Sequence, residues 1–175
     1  MIIRYPEDEA KLKDIHAGDV IEFSGTILTS RDAAHMRIRQ MLDNNEALPV
    51  DFTNAFIYYA GPTPTKPGNV IGSIGPTTSS RMDKFAPMMT ELKVKATIGK
   101  GPRDEACTKY YIDNKILYFI TTGGCGALLA KSVKEAKEIA FLDLGPESIK
   151  RLKVEGFKMI CAIDYFGNNI FDNKN

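Results

Sequence analysis

The stretch GPTTSSRMD, at positions 75–83, gathers two threonines, two serines, Arg81 and Asp83 behind a Gly-Pro pair. A turn that runs into a helix presents unpaired backbone N–H groups and the positive end of the helix dipole. Here those groups would be the N–H of Thr78, Ser79 and Ser80, a start that suits a carboxylate or a phosphate. Arg81 adds a planar fork able to hold a carboxylate through two parallel hydrogen bonds. Taken alone, the stretch reads as well as a Thr/Ser helix cap followed by an exposed arginine.

The pattern recurs. LTSRDAAH, at 28–35, also passes through Thr-Ser into an arginine, Arg31, with Asp32 at the helix start. His35 follows Arg31 by four residues and would share its helix face. A third cation, Lys100, stands between two glycines in IGKGPR. Each signal by itself describes a solvated turn or cap. Together they describe a cationic pocket in which two arginine-bearing helix starts converge on a small dicarboxylic acid.

These residues need elements to carry them. GDVIEFSGTIL (18–28) alternates apolar and polar residues and predicts a strand or a bent strand pair. The following segment changes to helical spacing, with Ala34, Ile38, Met41 and Leu42 on one face and Thr29 or Ser30 as cap. AFIYYAG (55–61) predicts a short buried strand, and a Pro-rich loop follows it. In RMDKFAPMMTEL, Met82, Phe85, Met89 and Leu92 form a second apolar face, in a helix that Pro87 must shorten or kink. The methionines read first as core; with the Pro-rich loop, they are also candidates for a partner surface. KVKATIGKG (93–101) and KILYFITTGG (115–124) predict strands, the second central. GALLAKSVKEAKEIA predicts a helix and PESIKRL the start of a short one; FKMICAIDYFGNNIF predicts a strand with a turn at 167–169. The irregular alternation indicates a mixed α/β domain, one unit over residues 1–175, with helices on one side of the sheet.

Composition narrows the function. Lys plus Arg number 23 against 22 Asp plus Glu, which gives no electrostatic reason to expect nucleic acid or an anionic membrane as partner. No stretch approaches the ~18 apolar residues of a membrane span, and the acidic start lacks a signal-peptide core, so a cytoplasmic protein is expected. Cys107, Cys125 and Cys161 form no C-x-x-C, and the histidines are His16 and His35. Three reduced thiols are expected, Cys161 buried in a strand, with no complete metal site from this chain alone.

TSRDAAH, GPTTSSRMD and GKG, in this order and over nearly the whole chain, resemble the β subunit of the iron–sulfur hydro-lyases. That family includes the class I fumarate hydratases and the L(+)-tartrate dehydratases. The resemblance implies a swivelling β/β/α domain. It also implies an α subunit whose three cysteines hold a [4Fe–4S] cluster with one iron open to substrate, and an α2β2-type assembly. Arg31, Arg81 and Thr78 would bind the substrate, Thr77 would lie beside the carbon that loses its proton, and Lys100 would add positive charge. Asp32, His35 and Asp83 would support them from behind. The chain departs from the pattern at Pro102, where fused fumarases usually carry Asn.

This chemistry suits these residue types. Dehydration of a hydroxy diacid breaks a C–H bond beside a carboxylate and expels hydroxide, which the open iron would assist as a Lewis acid. Charge spreading onto the carboxylate meets fixed arginine and lysine donors. A threonine hydroxyl can take the proton only as an alkoxide favoured by close positive charge. The expected reaction interconverts fumarate and (S)-malate; the alternative within the same chemistry converts tartrate to oxaloacetate and water. A different class, a non-catalytic carboxylate-binding or scaffolding domain, would keep the fold without a cluster-bearing partner.

Overall fold

Strands and helices alternate irregularly in the computed structural model, which describes residues 1–122 and 124–172. The order is β1 (Ile2–Arg4), β2 (Val20–Thr29), α1 (Asp32–Asp43), β3 (Phe56–Tyr58), α2 (Ala86–Glu91), β4 (Ala96–Gly99) and α3 (Glu105–Asp113). Then come β5 (Leu117–Ile120), α4 (Gly126–Ser132), β6 (Val133–Ala140) and β7 (Ile149–Ile163). Of the segments read from the sequence, Gly123 and residues 173–175 lie outside the described residues.

The sheet is mixed, and it closes. β2, β3, β4 and β5 run parallel in that order, and β7 is antiparallel to both β5 and β2. A five-stranded, barrel-like ring results, with β1 added beside β2 and β6 beside β7. Alternate residues along each strand serve two cores, as the pleat requires. Phe56, Tyr58, Leu117 and Phe119 point into the ring with Ile21, Phe23, Phe157 and Cys161. Ile57, Tyr59 and Tyr118 point outward, where Ile38 of α1, Met88 and Met89 of α2 and Tyr111 of α3 cover them. Helices α1 to α3 therefore share one side, as expected; α4 does not, since its Leu129 joins the inner core.

Four local expectations are corrected. The helix expected over GALLAKSVKEAKEIA ends at Ser132, and Val133–Ala140 is a strand. Its Ala, Lys and Glu residues favour a helix, but pairing with β7 overrides that preference, with Lys153–Glu135 and Lys150–Glu138 ion pairs across the strands. The helix expected from PESIKRL is instead the opening of β7, where Leu152 and Val154 are buried on alternate positions. Neither Thr29 nor Ser30 caps α1: the cap position is Arg31, with no side-chain cap bond. Thr29 Oγ1 accepts from Lys150 N at 3.0 Å, and Ser30 Oγ lies 2.7 Å from His35 Nδ1. The methionines offer no partner surface, since Met82, Met88 and Met89 are each 1% exposed. The break at Pro87 appears as a change from a 3₁₀ turn, Ser79–Phe85, into α2.

Candidate active site

The carboxyl ends of parallel strands are where α/β sheets place their ligand sites, because the loops leaving them converge. Here Arg31 and Asp32 follow the end of β2, and Lys100 follows the end of β4. β3 continues to Ala60, which bridges to Pro76 and so brings in Thr77. Thr77 N–H donates to Tyr59 O at 2.7 Å, and Thr78 bridges to Lys100. The sequence-predicted residues Arg31, Asp32, Thr77, Thr78, Arg81 and Lys100 are thus gathered at one end of the sheet.

Arg81 links them. Its Nε and Nη2 donate to the two carboxylate oxygens of Asp32 at 3.0 and 3.1 Å, and Nη2 also donates to Thr77 Oγ1 at 2.7 Å. These bonds hold the Asp32 carboxyl below its usual range and raise the Arg81 guanidinium. Arg31 Nε donates to Glu147 Oε1 at 2.8 Å. Gly61 lets this pair form: a Cβ there would stand 3.0 Å from Pro146 O and 3.3 Å from Arg31 Cζ. Both terminal nitrogens of Arg31, and Nη1 of Arg81, have no protein partner among the described residues. Each fork is aimed by one carboxylate and keeps donors for another. Thr78, Arg81 and Lys100 are exposed and Thr77 half-buried, so the site opens outward.

Of the three backbone N–H groups expected to form an anion cradle at Thr78–Ser80, that of Ser79 is taken by Lys100 O at 3.1 Å. The side chains described above contribute donors beside them.

Two expected supporting residues lie deeper. His35 is fully buried, its ring edge-on to Tyr59 and Phe85, and burial drives its pKa down to about 3. Its imidazole is a neutral core group; only its backbone N–H reaches the site, donating to Arg31 O at 2.8 Å. Asp83 turns away from Thr77 and pairs with the buried Arg103, also accepting from Asp104 N at 2.8 Å. The guanidinium of Arg103 stacks over Tyr111 at 4.9 Å and Tyr118 at 5.1 Å. Glu147 and Tyr118 were not singled out in the sequence. Glu147 sits 116 positions from Arg31, and no local pattern announces such a pairing.

Among the described residues, no three His, Cys, Asp or Glu side chains lie close enough to hold a metal ion. Cys107 is buried in the helix-side core and Cys161 in the inner one, with burial pushing each thiol up to about 12. Cys125 is half-buried before α4. These residues do not fit the ligand set of an iron–sulfur cluster. No helix among the described residues is long and apolar enough to cross a membrane.

Comparison with known proteins gives the family. Residues 2–174 match the family described as Fumarase C-terminus. A Methanocaldococcus jannaschii protein named "Putative L(+)-tartrate dehydratase subunit beta" is 41% identical over 170 residues, covering 94% of this chain and 87% of the relative. The L(+)-tartrate dehydratase subunit beta of Escherichia coli K12 is 36% identical over 183 residues, 99% of this chain and 88% of the relative. Fumarate hydratase 2 of Leishmania major is 34% identical over 173 residues, 97% of this chain, which spans 30% of that protein's length. Matched along almost its full length, the chain belongs to the Fumarase C-terminus family, among the β subunits and β-type domains of tartrate dehydratases and fumarate hydratases.

Proposed function

We propose that the chain is the β subunit of a two-subunit, iron–sulfur-dependent hydro-lyase that interconverts fumarate and (S)-malate. In this reading it is the swivelling domain of the enzyme. A second polypeptide, the α subunit, carries three cysteines and the [4Fe–4S] cluster and closes the site in an α2β2-type assembly. One observation carries the reading: the Arg81 fork, aimed by Asp32, donates to the Thr77 hydroxyl beside Arg31 at the open end of the sheet.

Arg31 and Arg81 take the two substrate carboxylates with the donors that Glu147 and Asp32 leave free. Thr77 accepts a charged hydrogen bond, which favours its alkoxide and lets it take the proton beside a bound carboxylate. The charge released moves onto that carboxylate, where Arg81 and Lys100 oppose it. The exposure of Thr78, Arg81 and Lys100 supports a site that another surface must dry and complete.

Tartrate is the second reading, favoured by β-subunit relatives matched over 87% and 88% of their own lengths. The test is anaerobic assembly of the chain with its cluster-bearing partner, assayed with (S)-malate and with L(+)-tartrate. Turnover of malate supports the proposal, and turnover of tartrate alone moves it to the second reading. An assembled, cluster-loaded pair that turns over neither would leave a carboxylate-binding or scaffolding domain.

A further inference from the structure

The Gly-Lys-Gly turn and the Thr77–Arg81 segment are joined by one backbone hydrogen bond and by three more that meet at two hydroxyls. Ser79 N–H donates to Lys100 O at 3.1 Å, and Lys100 N–H donates to Ser79 Oγ at 3.1 Å. Tyr118 Oη lies 2.9 Å from Ser79 Oγ and 2.7 Å from Gly101 O. Counting hydrogens orients the set. The Gly101 carbonyl can only accept, so the phenol hydrogen of Tyr118 goes to it. The Lys100 N–H can only donate, so Ser79 Oγ receives it, and the Ser79 hydrogen goes on to Tyr118 Oη. Lys100, Ser79, Tyr118 and Gly101 thus form one chain with a donor for every acceptor.

The two hydroxyls are enclosed. Tyr118 and Ser79 are both fully buried, and the Arg103 guanidinium covers the phenol ring. Gly99 makes room for the serine: a Cβ there would stand 1.9 Å from Ser79 Oγ, an impossible approach. Buried hydroxyls this enclosed cannot exchange partners with water, so the bonds fix position rather than merely satisfy polarity.

We propose that Tyr118, acting through Ser79, is a positioning residue that sets Lys100 against Thr77 and Arg81. The catalytic half of this inference rests on the hydro-lyase reading; the structural half does not. Tyr118 touches no substrate. Its hydroxyl holds Gly101 O directly and Lys100 N–H through Ser79, so its loss lets the lysine drift from where charge develops.

Two measurements test it, on Tyr118→Phe, Ser79→Ala and the double variant. Amide hydrogen exchange in the chain should show the Lys100 amide, which Ser79 Oγ accepts, losing protection in every variant while the β2 and β7 amides keep theirs. Unchanged protection at Lys100 overturns the clamp, whatever the protein's activity; loss throughout the sheet in all three variants overturns it too, as a general folding role. In the assembled enzyme, kcat should fall by the ~10²-fold that a 1 Å misplacement can cost, with KM nearly unchanged because both arginines stay in place. The double variant should be no slower than the worse single one. Additive losses, or a rise in KM with kcat unchanged, would overturn the positioning role. If the wild-type pair turns over no hydroxy diacid, the hydro-lyase reading fails and exchange alone decides the clamp.

Discussion

Arg81 divides its guanidinium between Asp32 and Thr77, so substitutions at 81 and 77 separate binding from proton transfer. Arg81→Ala removes a charge-assisted contact of roughly 1.5–3 kcal/mol and should raise KM, with kcat falling as well if the grip tightens with developing charge. Thr77→Val keeps the shape and deletes the hydroxyl; kcat should drop by about 10²-fold or more with KM little changed. Exchange of the substrate C–H with solvent deuterium should slow in parallel. Normal exchange in Thr77→Val would make this segment an anion grip only and place the base on the partner. His35 gives a prediction of another kind. Its folded pKa of about 3 lies below the unfolded value of 6.5, so the unfolded chain binds a proton first as pH falls. This contribution is complete above pH 6.5 and is lost as pH falls toward 3, at up to ~1.4 kcal/mol per pH unit. Urea unfolding between pH 7.5 and 4.5 should show that slope reduced in His35→Gln; an identical slope would assign the acid sensitivity to other groups. The pairing of Thr77 with Arg81 was legible because both sit on one short turn. That of Arg31 with Glu147 was not, because only closure of the sheet brings them together.

At the scale of elements, short-range periodicity told the truth wherever local preference and tertiary pairing agreed. The alternation at 18–28 became β2, and Pro87 marked where the 3₁₀ turn gives way to α2. Residues 133–140 misled because their helix formers are recruited as a strand beside β7, whose own alternation begins immediately after the Pro-Glu-Ser sequence that looked like a helix start. The register makes this testable. Lys137 lies opposite Arg151, a like-charge pair across the ladder. Lys137→Thr removes the repulsion and supplies a β-branched residue, so it should raise stability by a few tenths to about 1 kcal/mol in urea unfolding. A helix at this position would lose stability with the same change, because threonine is the poorer helix former. The sign of the shift therefore decides between strand and helix.

For the molecule as a whole, the closing of the ring by β7 decides what this chain can and cannot supply. The sequence carried the mixed α/β character, but the ring stayed hidden because β7, 15 residues long, was divided between a helix and a shorter strand. Closure puts Arg31, Thr77, Arg81 and Lys100 at one open end. It also leaves the sheet wall between Cys107, among the helices, and Cys161, inside the ring. Bringing both thiols to one iron would require opening the β5–β7 or β2–β7 ladder, and each is buried with its thiolate disfavoured. Anaerobic reconstitution of the isolated chain with iron and sulfide should therefore give no stoichiometric cluster, by visible absorbance and metal analysis. Cys107→Ser, Cys125→Ser and Cys161→Ser should each leave the cluster content of the assembled enzyme unchanged. The two buried positions should still lower the unfolding midpoint, because a hydroxyl costs more than a thiol to bury. A stoichiometric cluster on the isolated chain, abolished by any one of these changes, would mean that the fold brings its thiols together in solution and that the site is not divided between two polypeptides.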